Sequence, residues 1–536
     1  MRGAALVTFA ILSVGGVVPV TAQTGPGHWR PEDRVLVTDF GFVTALARSS
    51  DRLFAATSGG LLVNRDVFRR WEPPVTREDG WPDVEVTAMA WDRLDRMLWL
   101  AVAGGRLLSL DPVGVRWTDD VRLGRPVDRI VPDGSAAGGL YLRTPGGWLQ
   151  FDTFTQTARS ASLSEVNDAI ERNPNERARR ELITSPGFES VQAFLGTGPD
   201  GRRWPITDVV AAGDPGRFWI GAAGGGLSLL DSFSFDWRPV GVGLLGLGAR
   251  ALTADGNAIW IAAGEPLVGR YGVTRVSEEL EDWEVFDSRG SPGIPDRGIG
   301  AMTAVDGQLW IVGERGVTRR GTDGRWSRIA ADYYDRGDRL RAIAIGEVGP
   351  DGRRAVWIGG DRGLDRMPDL QSMPERVLSG DRVSALLPVA GGTWAATDRG
   401  LVFLDDAGRR TVPAGLPAFP SGAVTGDGAT TWTAIDSEVW AQNPDGSWRR
   451  LDEVGALSSP VTALAESQGI LWIGTSDELV SWETDGRGPV RRYSFAAGDL
   501  PFGPFGERGI AAILPVSRSR VWVATPAGAL RLDSPY

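Results

Sequence analysis

One short phrase, returning along the whole chain, constrains the fold more than any other feature. Two apolar residues flank a Trp, small residues follow, and then Gly. It reads Leu98-Trp99-Leu100, Phe218-Trp219-Ile220, Ile259-Trp260-Ile261, Leu309-Trp310-Ile311, Val356-Trp357-Ile358, Leu471-Trp472-Ile473 and Val521-Trp522-Val523. Trp394 and Trp432 hold the same slot with smaller neighbours, and Phe54 and Tyr141 hold it in two more copies. The slot recurs roughly every forty residues, and the one long gap, from Tyr141 to Trp219, is a period plus an insertion.

Each copy carries three further elements. A short strand precedes the slot, as in Val43-Thr44-Ala45-Leu46, Val86-Thr87-Ala88-Met89, Val383-Ser384-Ala385-Leu386 and Val461-Thr462-Ala463-Leu464. A Gly turn and a third strand follow it, as in Gly59-Gly60-Leu61-Leu62-Val63 and Gly400-Leu401-Val402-Phe403-Leu404. A fourth strand often holds a Trp, as at Trp71, Trp117, Trp237, Trp283, Trp326 and Trp448. Asp323-Gly324 and Asp445-Gly446, between third and fourth strands, are tight-hairpin dipeptides. The unit is a four-stranded antiparallel meander, which is a propeller blade. The predicted fold is an all-β β-propeller of about eleven blades. A Trp at one strand position in copy after copy reads as packing between blades rather than as a sugar platform.

The last copy ends at its third strand, Gly528-Ala529-Leu530-Arg531-Leu532. His28-Trp29-Arg30-Pro31 resembles the fourth strands at Trp71-Glu72-Pro73 and Trp237-Arg238-Pro239. The N-terminal segment is therefore expected to complete the last blade and remove two free sheet edges. His28 then becomes a structural residue. Rings usually hold about four to eight blades, so two packed rings are expected, the first and last blades sharing one and the second ring inserted between them, with a single large ring as the alternative. The candidate seams are 240–248, 287–298 and an insertion at 160–204. Ser162 with Glu165 fits a capping box there, and Asn173-Pro174 fits a second helix start. Its charges, Arg177, Arg179, Arg180 and Glu181, are expected to form a solvated face. The sharper alternative is a lid or partner-binding arm between blades three and four.

Ahead of the repeats, Met1-Arg2-Gly3, an apolar run from Ala4 to Val20, and Val20-Thr21-Ala22 make an export signal with cleavage expected after Ala22. The domain reading is thus 1–22 signal peptide and 23–536 propeller, with a periplasmic or extracellular destination and no membrane span after cleavage. The chain has no Cys and no Lys, and its single His is His28. Thiol nucleophiles, Schiff-base lysines, Cys/His zinc sites and a Ser-His-Asp triad are thereby excluded. No cofactor and no metal are expected. A net charge of −11 argues against nucleic acid as a partner.

The repeats resemble the two-component regulator propeller family of periplasmic sensors, best at Val461 to Thr475 and from Asp296 to Gly316. Gly415-Leu416-Pro417 matches that family's linker, and Gly293-Ile294-Pro295 nearly does. The resemblance implies recognition of glycans or other envelope ligands. No membrane helix, sandwich domain or kinase follows the last repeat, so only the sensor part is expected.

The expected function is a non-catalytic, sensor-like or scaffolding module that binds a glycan, an anionic small ligand or an envelope protein. The alternatives are a polysaccharide-acting propeller enzyme using paired carboxylates and a component of an envelope assembly or secretion system. The carboxylates sit mostly in turns such as Asp405-Asp406 and Asp255-Gly256, where turn chemistry explains them. The candidate ligand contacts are charges at the first-strand slot that otherwise holds small or hydroxyl residues (Thr44, Thr87, Thr207, Ser384, Thr462). They are Asp128, Arg250 and Arg341. Two Arg against one Asp point to an anionic ligand; the competing reading is that these charges pair with each other or meet water in the channel.

Overall fold

A computed structural model describes residues 33–533 except 66–69, 136–137, 185–195, 198–201, 235, 266–269, 289, 292, 296–297, 315, 335–337, 349–352 and 505. The signal region, its cleavage point and His28 to Pro31 lie outside the described residues.

The described residues form eleven four-stranded antiparallel sheets; in ten the strands pair in chain order, and in the last the outer strand comes from the N-terminal side. We number the blades by these sheets: 43–71, 86–122, 129–160, 206–240, 249–287, 299–329, 340–379, 383–411, 421–450, 461–494, and 512–533. The outer strand of blade 11 is Arg34–Val37, antiparallel to Gly528–Asp533 with Arg34 opposite Leu532 and Val37 opposite Ala529.

The slot aromatics fix the order of the blades. Apart from Tyr141, which meets a helix, each packs into the space between its own sheet and the next, where a wide ring covers a neighbouring sheet face. Trp260 clusters with Ile299 and Met302 of blade 6, Trp310 with Leu340 and Ile343 of blade 7, and Trp357 with Val383 of blade 8. Trp472 meets Val521 and Val523 of blade 11, and Trp522 meets Ala249 and Ile259 of blade 5. Trp522 thus closes a seven-bladed ring of blades 5 to 11. Phe54 packs toward blade 2, stacked on Trp91 at 5.5 Å, and Trp99 toward blade 3. Trp219 of blade 4 returns to Val43 and Leu46 of blade 1. Blades 1 to 4 therefore make a second, four-bladed ring. Trp99, Trp310, Trp357, Trp472 and Trp522 are almost wholly buried, as is Phe54.

This arrangement corrects one expectation. The first and last blades do not share a ring; only the closing strand Arg34–Val37 shares one with blade 11. The chain leaves that strand, crosses at 38–42, builds the whole four-bladed ring, and crosses back at 241–248. The two crossings bind each other, Leu244 N–H donating to Thr38 O at 2.9 Å and Gly246 N–H to Asp39 Oδ2 at 3.1 Å. A crossing needs only a strand end and a loop, so the repeat pattern carries no trace of which ring a blade joins.

Two helices occupy the place of a fifth blade in the small ring. They are α1 (Leu163–Arg172) and α2 (Pro174–Ile183). Ser162 accepts from Glu165 N–H while Glu165 accepts from Ser162 N–H, and Asn173 caps α2 with Pro174 at its first turn. Val166, Ala169 and Ile170 of α1 pack on Tyr141 of blade 3. Leu182 of α2 packs on Val209, Phe218 and Ile220 of blade 4. A solvated face is only part of the outcome. Arg177 and Arg180 pair with Glu181 and Glu171 in partly exposed positions. Arg179, mostly buried, instead reaches inward to Asp208 of blade 4 at 3.0 Å, and Glu176 pairs with Arg129 of blade 3. Arg129 and Asp208 stand where Ala45, Ala88, Ala251, Ala342, Ala385 and Ala463 stand in other first strands. A small residue fits where sheet meets sheet, and a long charged one fits where the neighbour is a helix with matching charges.

Candidate functional site at the mouth of the seven-bladed ring

The slot that carries the candidate charges is a β-bulge. In first strand after first strand the register shifts at this one residue, as between Val43 and Ala45, Val86 and Ala88, Ala249 and Ala251, or Leu340 and Ala342. The extra residue turns its side chain out of the ladder. Where it is hydroxylic it borders the channel, as Thr44, Thr87 and Thr207 do in the four-bladed ring, but its hydrogen is committed to a carbonyl. In four of the five hydroxyl slots it donates to the carbonyl that opens the first strand of the next blade, while Thr44 Oγ1 reaches only Ala56 O of its own blade, at 3.4 Å. Thr87 Oγ1 reaches Val127 O at 2.5 Å, Thr207 Oγ1 reaches Val43 O at 2.9 Å, Ser384 Oγ reaches Ser421 O at 3.0 Å, and Thr462 Oγ1 reaches Ile510 O at 2.6 Å. Where the slot is Gly, the next blade comes closer still. A Cβ on Gly300 would lie 2.4 Å from Leu340 O, and one on Gly422 2.5 Å from Val461 O. The slot is an inter-blade staple.

The three charged slots break the staple, and the structure separates them. Asp128 belongs to the four-bladed ring, at a narrow channel of about 90 Å³ that α2 shares. It accepts from Arg143 Nε at 2.6 Å. Arg341 and Arg250 belong to the seven-bladed ring, in blades 7 and 5, with Gly300 of blade 6 between them in ring order. Arg341 forms a two-pronged pair with Asp361 at the end of its own second strand. The candidates therefore do not pair with each other; two of them pair locally. Arg250 is exposed and makes no hydrogen bond or ion pair among the described residues.

Arg250 stands on the rim of a cavity of about 780 Å³ at the mouth of the large ring. Its walls come from the start of blade 5 (Leu247 to Arg250), from blade 10 (Thr462, Ser476) and from the loop entering blade 11 (Pro504, Glu507 to Ala511). Arg508 is neutralised by Asp477, Nε to Oδ1 at 3.1 Å. Hydrogen bonding from Ser459, with help from Ser476 and the Arg508 charge, holds the Asp477 carboxyl below the usual carboxylate range. Glu507 is exposed and, like Arg250, has no ion-pair partner among the described residues. Glu507 and Arg508 escaped the sequence reading because they lie in a connection that carries no repeat, and Ser476 because it sits in the ordinary turn between the second and third strands of blade 10. The unusual length and the Gly, Pro and Phe content of 495–511 were the available signal.

Carboxylates suited to acid–base work would be raised in pKa and paired. Asp79, Asp92 and Glu466 are raised, in each case by burial. Each serves a turn, accepting from the backbone N–H of Thr76, Leu94 and Gly469 respectively. None of the three lines the mouth. Among the described residues no group of three or more His, Cys, Asp or Glu could hold a metal ion, and no helix is long and apolar enough to cross a membrane.

No protein-family model matches the chain, and no curated protein matches it in sequence. Solved structures do resemble it. PorZ, a surface component of the type-IX secretion system of Porphyromonas gingivalis, aligns with a TM-score of 0.53 at 12% identity, over 94% of this chain and 87% of that one. The extracellular domain of a hybrid two-component system from B. thetaiotaomicron aligns with a TM-score of 0.44 at 12% identity over 90% of this chain. A second such domain from the same organism has a TM-score of 0.41 at 13% identity over 92% of this chain. This chain spans 60% of the length of the first of these domains and 70% of the second. Extracellular domains of two-component systems are thus among its structural neighbours, and with PorZ the chain shares a fold, the β-propeller, along nearly its whole length.

Proposed function

We propose that the chain is an exported, non-catalytic binding module that seats a ligand or an envelope partner at the mouth of its seven-bladed ring, with Arg250 receiving an anionic group. The observation that carries this is the replacement of an inter-blade staple by an unpartnered guanidinium on the rim of a 780 Å³ cavity. Pockets of about 300–1,000 Å³ are the usual size for a small-molecule ligand. A guanidinium offers a fixed fork of donors to a carboxylate or phosphate. The export signal and the absence of Cys, of Lys and of any His but His28 support a binding rather than a catalytic role. Asp128 and Arg341 are, in this reading, spent on Arg143 and Asp361.

PorZ supplies a second reading, in which the occupant is a protein of an envelope assembly; the same surface would be used. Capture from a native envelope extract followed by mass spectrometry tests both. Wild-type protein and Arg341→Ala are expected to retain the same component, and Arg250→Ala to lose it with an unchanged melting temperature. An identical set on all three proteins would overturn the assignment of the mouth.

A further inference from the structure

We infer that the ligand of this mouth is a short zwitterionic peptide, with its carboxylate on Arg250 and its ammonium on Glu507. The inference rests on the reading of the mouth as the binding surface and goes further by naming what binds. Among the described residues, the other polar side chains of the cavity are already engaged: Thr462 with Ile510 O, Ser476 with Ser459, Arg508 with Asp477. Two charges of opposite sign remain, Arg250 and Glu507, on one rim and in no ion pair, with each other or with any described residue. They stand on separate segments, the bulge of blade 5 and the loop entering blade 11, and make no ion pair with each other.

A ligand of a single sign satisfies one of them and is repelled by the other. A polyanion that reaches Arg250 meets the Glu507 carboxylate, and like charges brought together in a partly desolvated cavity are unfavourable. A molecule with one charge of each sign satisfies both. The lining of the same cavity is largely apolar and glycine, with Leu247, Pro504, Ile510 and Pro526, and its other polar side chains are engaged, so the body that joins the two charges is apolar or lightly polar. A peptide of three or four small apolar residues with free ends has this distribution, and the volume of the cavity is that of a site for a ligand of this size.

Calorimetric titration of the full chain with alanyl-leucyl-alanine, its N-acetylated form and its C-amidated form tests the inference. The free peptide is expected to bind at least tenfold more tightly than either blocked form. Arg250→Ala should bind the free and amidated forms alike, and Glu507→Gln should bind the free and acetylated forms alike. Equal binding of all three forms by wild type, or no binding of the free peptide, would overturn it; this comparison needs no variant to fold. Oligogalacturonate is the parallel probe. If it binds in an Arg250-dependent way while the peptide does not, the zwitterion is wrong and the mouth stands. If neither probe binds and envelope capture is indifferent to Arg250→Ala, both readings fall.

Discussion

Thr207 Oγ1 lies 2.9 Å from Val43 O, so that one hydroxyl of the fourth blade holds the first strand of the first blade and closes the smaller ring. The same bond between successive blades elsewhere joins neighbours in sequence; here it joins residues 164 apart. Thr207→Val keeps the β-branched shape and removes the donor. It is expected to cost about 1 kcal/mol in urea unfolding, whereas Thr207→Ser retains most of the stability. Equal losses for Val and Ser would remove the staple from the account.

The glycine form of the staple makes a stronger prediction. A Cβ at Gly300 or Gly422 would meet a backbone carbonyl of the next blade at 2.4 or 2.5 Å, far inside van der Waals contact. Since both partners are main chain, relief requires the blades to separate. Gly300→Ala and Gly422→Ala are expected to destabilise the protein by about 1–3 kcal/mol, the usual cost of overpacking. Gly146→Ala, whose nearest neighbour stands at 3.9 Å, should be close to neutral in the same thermal melts.

The helical hairpin should respond to acid. Hydrogen bonds from Ser162 N–H, from Arg159 and from the Ser162 hydroxyl hold the Glu165 carboxyl at about 2, against an ordinary 4.5. A carboxyl depressed on folding contributes stability that is fully present above its unfolded value and is lost as pH falls through the folded one. Wild type should therefore be more stable than Glu165→Gln at pH 6, and the gap between their urea midpoints should narrow between about pH 4.5 and pH 2. A gap that stays constant across that range would show that the capping charge does not contribute.

Ring closure offers the most disruptive change. Among the described residues, Arg34–Val37 alone covers the outer edge of Gly528–Asp533. Val35 and Val37 pack with Trp522 between blades 11 and 5, and Leu36 packs toward blade 10. Starting the chain after Val37 bares a sheet edge and those side chains. Aggregation or loss of a single cooperative transition is expected by light scattering and calorimetry; a monomer of unchanged melting temperature would refute it.

The propeller was legible because its signal is repeated. A Trp between two apolar residues, copied along the chain, outweighs any local ambiguity, and Trp310, Trp357 and Trp472 sit in the interiors their repetition implies. The sorting of blades into rings was only partly legible: the crossing at 241–248 coincides with one of the candidate seams, 240–248, but nothing marked it above the others, because Leu244 and Thr38, which join the two crossings, belong to no repeat. The binding slot was half legible. Arg250 stood out against Thr44 and Thr462 in the same column, but the column's purpose did not, since a hydroxyl facing a neighbouring carbonyl and one facing a channel look alike in sequence. Arg129 and Asp208 were visible as departures from an alanine column and could have announced that a sheet was missing beside them.

The closing strand also sets an order of events during biosynthesis. Arg34–Val37 leaves the ribosome first, yet its partner Gly528–Asp533 follows roughly five hundred residues later, a separation that makes this pairing among the slowest contacts to form. The four-bladed ring, encoded wholly in between, can assemble while the other is still being made. Until the last blade is made, the chain carries an unsatisfied first strand beside a small ring that can already be complete. That ring then waits as a tethered neighbour, holding the strand near the place where the last blade arrives.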